Sequence, residues 1–210
     1  MNHRKHVGDL NLFDYTGKYC FDLLIGLNLQ KNHKLLDVGC GALRTGKFLI
    51  TYLDYKNYTG LEPDIEILEL AKKKVKLLRF FLKQKEPNFI SNSSFDFENI
   101  PIQDFIFCFD VFYHCGINQL KIFLRNVKEI SNNKTNIILS LMFANGNPHE
   151  TQKGSYHYKY ASHSNVYYDI DQFIILASQH GFQANLLNKN EKKFFGSRLI
   201  FELKKIIKLN

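Results

Sequence analysis

Apolar positions along this chain switch between a short extended rhythm and a helical one, and the switches predict its elements. Leu35, Leu36 and Val38 form an apolar run that stops at Gly39-Cys40-Gly41; Leu43, Phe48, Leu49, Tyr52 and Leu53 then recur at helical spacing, and Tyr58 to Leu61 is extended again. Pro63 cannot continue a central strand and marks where the chain leaves the sheet. Upstream, Tyr15 to Leu27 carries Tyr19, Leu23, Leu24 and Leu27 on one side of a helix. Downstream, Asp64 is a suitable N-cap for a helix from Ile65 to about Phe80, with Ile65, Leu68, Ala71, Val75 and Leu78 as its buried stripe.

The second half continues the alternation. Pro87 to Phe95 is a third strand by position, and Phe105 to Phe109, apolar throughout, reads as a strand buried on both faces. Ile117 to Ile130 is a helix turning Leu120, Phe123, Leu124 and Val127 toward the sheet, and Asn136 to Met142 is a fifth strand. Residues 143–166 break into a loop insertion with glycines, a proline and the aromatic run Tyr156, His157, Tyr158 and Tyr160, a candidate substrate wall or flap. Tyr167-Tyr168 and Asp169 open a helix to Gly181; Phe182 to Leu187 and Phe194 to Leu203 follow as an antiparallel pair joined by the polar Asn188 to Lys193.

Lys34 to Asp64 is thus strand, glycine turn, helix and strand, half of a nucleotide-binding α/β fold. The turn does not suit a phosphate. A dinucleotide fingerprint wants a third glycine where Arg44 stands, and a P-loop wants a Gly-Lys-Ser/Thr that is absent. Two acids stand there instead: Asp37, two residues before Gly39, and Glu62 at the end of the second strand. A carboxylate at the first position would meet a cation. Arg44, at a helix N-terminus where the dipole disfavours positive charge, calls for an acidic neighbour, the ligand's own carboxylate being one candidate.

The pattern D-V-G-C-G with a strand-terminal acid about twenty-five residues on resembles motif I and its sequel in class I S-adenosylmethionine-dependent methyltransferases. G-C-G-A-L-R-T-G, from Gly39 to Gly46, with D-V-F-Y-H-C, from Asp110 to Cys115, resembles a bacterial group that carries G-C-G-x-L-R-x-G and S-V-F-T-H-L. The resemblance implies a Rossmann-like, doubly wound sheet of seven mostly parallel strands with an antiparallel last strand, helices on both faces, and residues 1–30 as a helical lid. It implies S-adenosyl-L-methionine as cofactor, whose ammonium and sulfonium suit an acid-lined turn. Asp37 would hold the methionine end, Gly39, Cys40, Gly41 and Arg44 would line the turn, and Glu62, followed by Pro63, would take the ribose hydroxyls. Asp96 and Phe97 would meet the adenine, with Ser94 and Phe95 as the alternative register, and Asp110 would close the cofactor site. On the lid, Tyr15, Gly17 and Lys18 are near-site candidates by the same resemblance.

Tyr113 and His114 follow the buried strand, where an open α/β sheet places its ligand crevice. An imidazole titrates near working pH, so His114 is the candidate general base, and it reads equally as a helix-start histidine bonded to backbone. Methyl transfer from a sulfonium neutralises a cation, and positioning an existing nucleophile supplies much of its rate, so a base is not obligatory. The Asp110 and Tyr113 replacements mean that roles attached to the group's serine and threonine do not carry over. The N/D-P-P-Y clamp of methyltransferases acting on bases and glutamine is missing, which points to a hydroxyl or amine of a small metabolite or glycan precursor.

Composition adjusts this picture little. The 210 residues, 45% hydrophobic and 23% charged, fit one ordinary domain, expected to span 1–210. The net charge of +8 invites nucleic acid, yet the lysines are dispersed, with small clusters at Lys72 to Lys74 and Lys76 and at Lys204, Lys205 and Lys208, so RNA or protein is the alternative acceptor and not the favoured one, and a non-catalytic S-adenosylmethionine-binding module is the alternative outside enzymes. No apolar run approaches the roughly 18 residues of a membrane span, and the N-terminus lacks an apolar signal core, so the expectation is cytoplasmic. Cys20, Cys40, Cys108 and Cys115 form no C-x-x-C pair and are expected as reduced thiols. His3 and His6 have no companion cysteine or acid cluster, and no metal is expected.

Overall fold

The computed structural model describes residues 12–77, 85–143, 150–151, 165–187 and 198–206. His3, His6, Leu78 and the predicted helix end at Phe80, Tyr156, His157, Tyr158, Tyr160, the connection Asn188 to Lys193 and Lys208 lie outside them. The chain parts into two compact units, 1–93 and 94–210. The fold is mixed α/β and Rossmann-like, mostly parallel with antiparallel C-terminal strands.

In the first unit, α1 (Phe13–Gly26) precedes β1 (Leu35–Val38), α2 (Gly46–Tyr52), β2 (Tyr58–Leu61), α3 (Ile65–Leu77) and β3 (Asn88–Ile90). The strands are parallel in the order β3-β2-β1, with Leu35 opposite Tyr58 and Asp37 opposite Gly60. Every β1 side chain is buried, including Asp37, as the apolar run predicts for a strand covered on both faces. The buried face of α1 is Phe13, Thr16, Gly17, Cys20 and Leu24; of the predicted face Leu24 is buried, whereas Tyr19, Leu23 and Leu27 are half-buried. Small residues explain the choice. Gly17 admits the backbone of Arg44 so closely that a Cβ there would stand 2.2 Å from the Arg44 carbonyl oxygen, and Phe21 packs on Phe48 and Tyr52 at 5.9 and 5.6 Å between ring centroids.

Asp64 caps α3 as expected, its Oδ1 accepting the N–H groups of Glu66 and Ile67 at 2.8 and 3.3 Å. Ile65 is half exposed and Ile67 takes its place in the core beside Leu68 and Ala71, a rotation of the predicted stripe. The third strand covers only Asn88–Ile90 of the predicted Pro87 to Phe95, because Ser91-Asn92-Ser93-Ser94 offers no apolar face and Phe95 takes a left-handed φ of 54°.

In the second unit, β4 (Phe105–Cys108), α4 (Ile117–Asn126), β5 (Asn136–Phe143), β6 (Glu150–Thr151), β7 (Asn165–Tyr168), α5 (Ile170–Gln179), β8 (Phe182–Leu186) and β9 (Arg198–Lys205) follow. β5 runs parallel to β4 and antiparallel to β9, and β9 pairs on its other side with β8, so the reversed last strand is present and lies inside the pair. Two expectations need correction. Tyr167 and Tyr168 end a strand, β7, that continues along β5 past the end of β4 and pairs with β6, so residues 143–166 contain β-structure. The helix begins only after Asp169, whose side chain accepts the Gln172 N–H at 2.9 Å. The helix predicted to Ile130 also ends early, at Asn126.

The core of this unit is aromatic. Phe123 of α4 meets Phe112, Phe95 and Phe97 at 5.1, 5.7 and 6.1 Å, each edge to face, and Phe201 meets Phe173 and Phe143 at 4.9 and 5.6 Å. All four cysteines are buried, and none forms a disulfide. No helix among the described residues is long and apolar enough to cross a membrane.

Candidate functional site

The glycine turn is tied to the end of β2, since the N–H groups of Gly39 and Cys40 both donate to the Leu61 carbonyl, at 2.7 and 3.0 Å. Gly39 and Gly41 adopt φ of 73° and 52°, where a side chain would be strained, which is why glycine stands at both. Leu43 takes φ of 62° without that freedom, a strained residue of the kind that clusters at ligand-binding turns.

Glu62 reaches back to this turn. Its Oε2 accepts the Gly41 N–H and its Oε1 the Asp64 N–H, both at 3.1 Å, and Pro63 between them ends the strand. One carboxylate therefore fixes the turn and the start of α3, while each oxygen keeps lone pairs for a hydroxyl donor. Burial pushes Glu62 up to about 7, against the two backbone N–H groups that hold it down. Asp37 is buried at the end of β1 and accepts the Tyr58 hydroxyl at 2.7 Å on Oδ2. Burial raises it to about 6; the Tyr58 hydrogen bond and the Arg44 charge oppose the rise. Asp37 is thus an acid within the chain whose ionised form the Arg44 charge favours. Cys40 lies between the two acids, and burial together with both carboxylates pushes its thiol well above the ordinary range, so it is a packing thiol and no nucleophile.

Asp37, Gly39, Cys40, Gly41, Arg44, Glu62 and Pro63 are brought together in the first unit. The donor set fits S-adenosylmethionine: two buried acids for a cationic and a diol end, with backbone held close by glycines and no phosphate-binding lysine. Tyr58 belongs to this group and escapes a sequence reading, because a tyrosine at the start of a strand counts as one more apolar residue. Of the lid candidates, Gly17 is the one packed on the turn; Tyr15 is half exposed and Lys18 pairs with Asp22 at 2.6 Å on the surface.

The second unit carries the remaining candidates. The exposed Asp96 accepts the Glu98 N–H at 3.0 Å in a local turn, and Phe97 is buried against Phe123. Asp110 has a left-handed φ of 63°, donates its N–H to Ser140 Oγ at 2.8 Å and pairs through Oδ1 with Arg198 Nε at 2.7 Å. Arg198 is a second residue that sequence reasoning missed, since it read only as part of a closing strand. Tyr113 and His114 are half buried with their rings 4.8 Å apart, and the His114 N–H donates to the Val111 carbonyl in a turn that ends before the N-cap of α4, Gly116. The segment is anchored to β7 at both ends: Val166 N–H donates to the Tyr113 carbonyl at 3.1 Å and the Tyr168 hydroxyl to the Cys115 carbonyl at 2.7 Å. Among the described residues no cluster of three or more His, Cys, Asp or Glu could hold a metal.

Residues 36–138 match the family model described as a methyltransferase domain. No curated protein sequence matches the chain. Among solved structures, the fold is similar to magnesium protoporphyrin IX methyltransferase from Synechocystis with bound SAM, at 12% identity and a TM-score of 0.65, covering 97% of this chain and 84% of that one. It is similar to the glycopeptide N-methyltransferase MtfA complexed with S-adenosyl-L-methionine, at 12% identity and a TM-score of 0.70, over 90% and 94% of the two chains. A TehB-like SAM-dependent methyltransferase from Corynebacterium glutamicum matches at 17% identity and a TM-score of 0.61, over 89% and 87%.

Proposed function

We propose that this enzyme, a methyltransferase over residues 36–138 with S-adenosylmethionine as its cofactor, transfers the methyl group to a hydroxyl or amine of a small metabolite or glycan precursor. The observation that carries the reading is the acid pair at one glycine turn: Glu62 locked to Gly41 N–H and Asp37 locked to Tyr58. In this reading Asp37, Gly39, Cys40, Gly41, Arg44, Glu62 and Pro63 hold the methionine and ribose, Asp96 and Phe97 serve the adenine, Asp110 is a further cofactor-binding residue, and residues 1–210 act as one catalytic domain whose segment 1–30 is the lid. The bound cofactor supplies an electrophilic methyl on sulfur, and the sulfonium charge is what the buried carboxylates favour.

Tyr113 and His114 are the acceptor-side residues of this proposal. His114 would take the proton an attacking amine or hydroxyl loses, and its imidazole is the group in that turn suited to do so near neutral pH. A small acceptor is favoured by the missing N/D-P-P-Y clamp, and the similar solved structures include enzymes named for porphyrin and glycopeptide substrates.

The test is transfer of labelled methyl from S-adenosylmethionine into a library of small hydroxyl and amine compounds, with total RNA and unfolded protein as further arms. Label in a small compound supports the proposal. Label in RNA with a rate that falls steeply with salt replaces it, because phosphate contacts make binding salt-dependent. On the identified acceptor, His114→Ala retaining full turnover across the pH range removes the base role.

A further inference from the structure

Tyr58 opens β2 opposite Leu35, which makes Asp37 its diagonal neighbour across the parallel pair β1–β2. The phenol fills a slot that two glycines leave. A Cβ on Gly46, at the start of α2, would stand 2.5 Å from the Tyr58 hydroxyl oxygen, and a Cβ on Gly60 would meet the Tyr58 ring at 3.1 Å and Cys40 Sγ at 2.9 Å. Strand register, helix start and glycine turn thus all leave room for one hydroxyl aimed at one carboxylate oxygen, 2.7 Å away and buried.

We propose that Tyr58 is a positioning residue for the cofactor: its hydroxyl fixes Asp37 Oδ2 and thereby turns Oδ1 toward the cationic methionine end. This rests on the methyltransferase reading above. A carboxylate with a single rotatable bond to its stem needs one oxygen held if the other is to meet a ligand at a defined angle, and a buried carboxylate needs a donor if it is to stay ionised. The phenol supplies both. Burial and the Asp37 charge keep Tyr58 itself protonated well beyond the usual tyrosine range, so it remains a donor at every working pH.

The charged and titratable groups around Asp37 are Arg44 and Cys40 on the turn, Tyr58 on β2, and Glu62 after it. Arg44 and the Tyr58 bond favour the carboxylate, while burial disfavours it. Replacing Tyr58 with phenylalanine keeps the ring in its slot and removes the hydroxyl, which bonds Asp37 and also meets the Cys40 thiol. Asp37 then ionises at higher pH, and the variant loses the ligand mainly where the wild-type carboxylate is just becoming charged.

The experiment measures S-adenosylhomocysteine binding by calorimetry at pH 6 and pH 8.5 for the full chain, Tyr58→Phe, Asp37→Asn and the double variant, with thermal unfolding of each. Tyr58→Phe is expected to bind about tenfold more weakly at pH 6 and within about threefold of wild type at pH 8.5, roughly the effect of losing one charge-assisted hydrogen bond. In the Asp37→Asn background the same substitution is expected to change nothing. Unchanged binding at both pH values, or additive losses in the double variant, overturn the inference while the cofactor reading stands. Absence of binding by the unmodified chain overturns both.

Discussion

The Glu62 carboxylate holds the backbone N–H of Gly41 at 3.1 Å, so the acid at the end of β2 and the glycine turn after β1 are one rigid unit. A residue that shapes the turn, and that in the proposed reading also takes the ribose hydroxyls, cannot be replaced without disturbing both, and glutamine, which keeps the acceptor oxygen, is the gentler probe. Its titration gives the first prediction.

Glu62 and Asp37 bind protons in the folded, cofactor-free chain that the unfolded chain has already released, since burial raises them from 4.5 and 3.8 to about 7 and about 6. Their contribution to stability is therefore complete below about pH 4 and is lost as pH rises through 6 and 7. The melting temperature of wild type, taken relative to Glu62→Gln, is expected to fall from pH 5 to pH 8. The cofactor wants the carboxylates ionised, so S-adenosylhomocysteine affinity is expected to change the opposite way, weakening up to about tenfold per pH unit from 7 to 6 and more steeply below, where Asp37 also takes up a proton. A difference in melting temperature that rises over this window contradicts the assigned shifts.

Helix α1 has a glycine pair that separates packing from propensity. Gly17→Ala would press a methyl into the Arg44 carbonyl, and Gly26→Ala would meet nothing within 4 Å. Alanine gains about 1 kcal/mol in a helix interior, whereas forced overpacking costs about 1–3 kcal/mol. Chemical denaturation is expected to find Gly17→Ala less stable than wild type with weakened cofactor binding, and Gly26→Ala at least as stable with binding unchanged.

Asp110 and Arg198 are expected to be coupled. The pair is partly exposed, with side chains 18% and 31% accessible, so solvent screening reduces its worth to about 1–2 kcal/mol. A double-mutant cycle of Asp110→Asn and Arg198→Met in urea checks this, and strictly additive losses would mean the two do not stabilise each other.

The glycine turn and its two acids were legible in the sequence because their signals are local: a strand that stops at glycine, an acid at fixed spacing, a proline that ends the next strand. Asp64 was legible as a cap for the same reason. The Tyr58 bond to Asp37 was not, because it depends on strand register and on glycines at 46 and 60 that clear space from elsewhere in the chain. Arg198 needed β9 to lie beside β5 before its partner Asp110 came into reach. Tyr167 and Tyr168 misled because two aromatic residues before a good N-cap fit a helix entry as well as a strand end, and only pairing with Met142 and Phe143 decides. On α1 the buried face follows the small residues Gly17 and Cys20, which apolar periodicity undervalues.

The central claim is that Asp37 and Glu62 build a site for S-adenosylmethionine, and calorimetric titration with S-adenosylhomocysteine at pH 8 tests it most directly. The unmodified chain is expected to bind saturably with one site per chain, and Asp37→Ala and Glu62→Ala to weaken binding by about tenfold or more, the effect of losing a charge-assisted contact. No binding by the unmodified chain, or affinity in both variants unchanged from that of the unmodified chain, would contradict it.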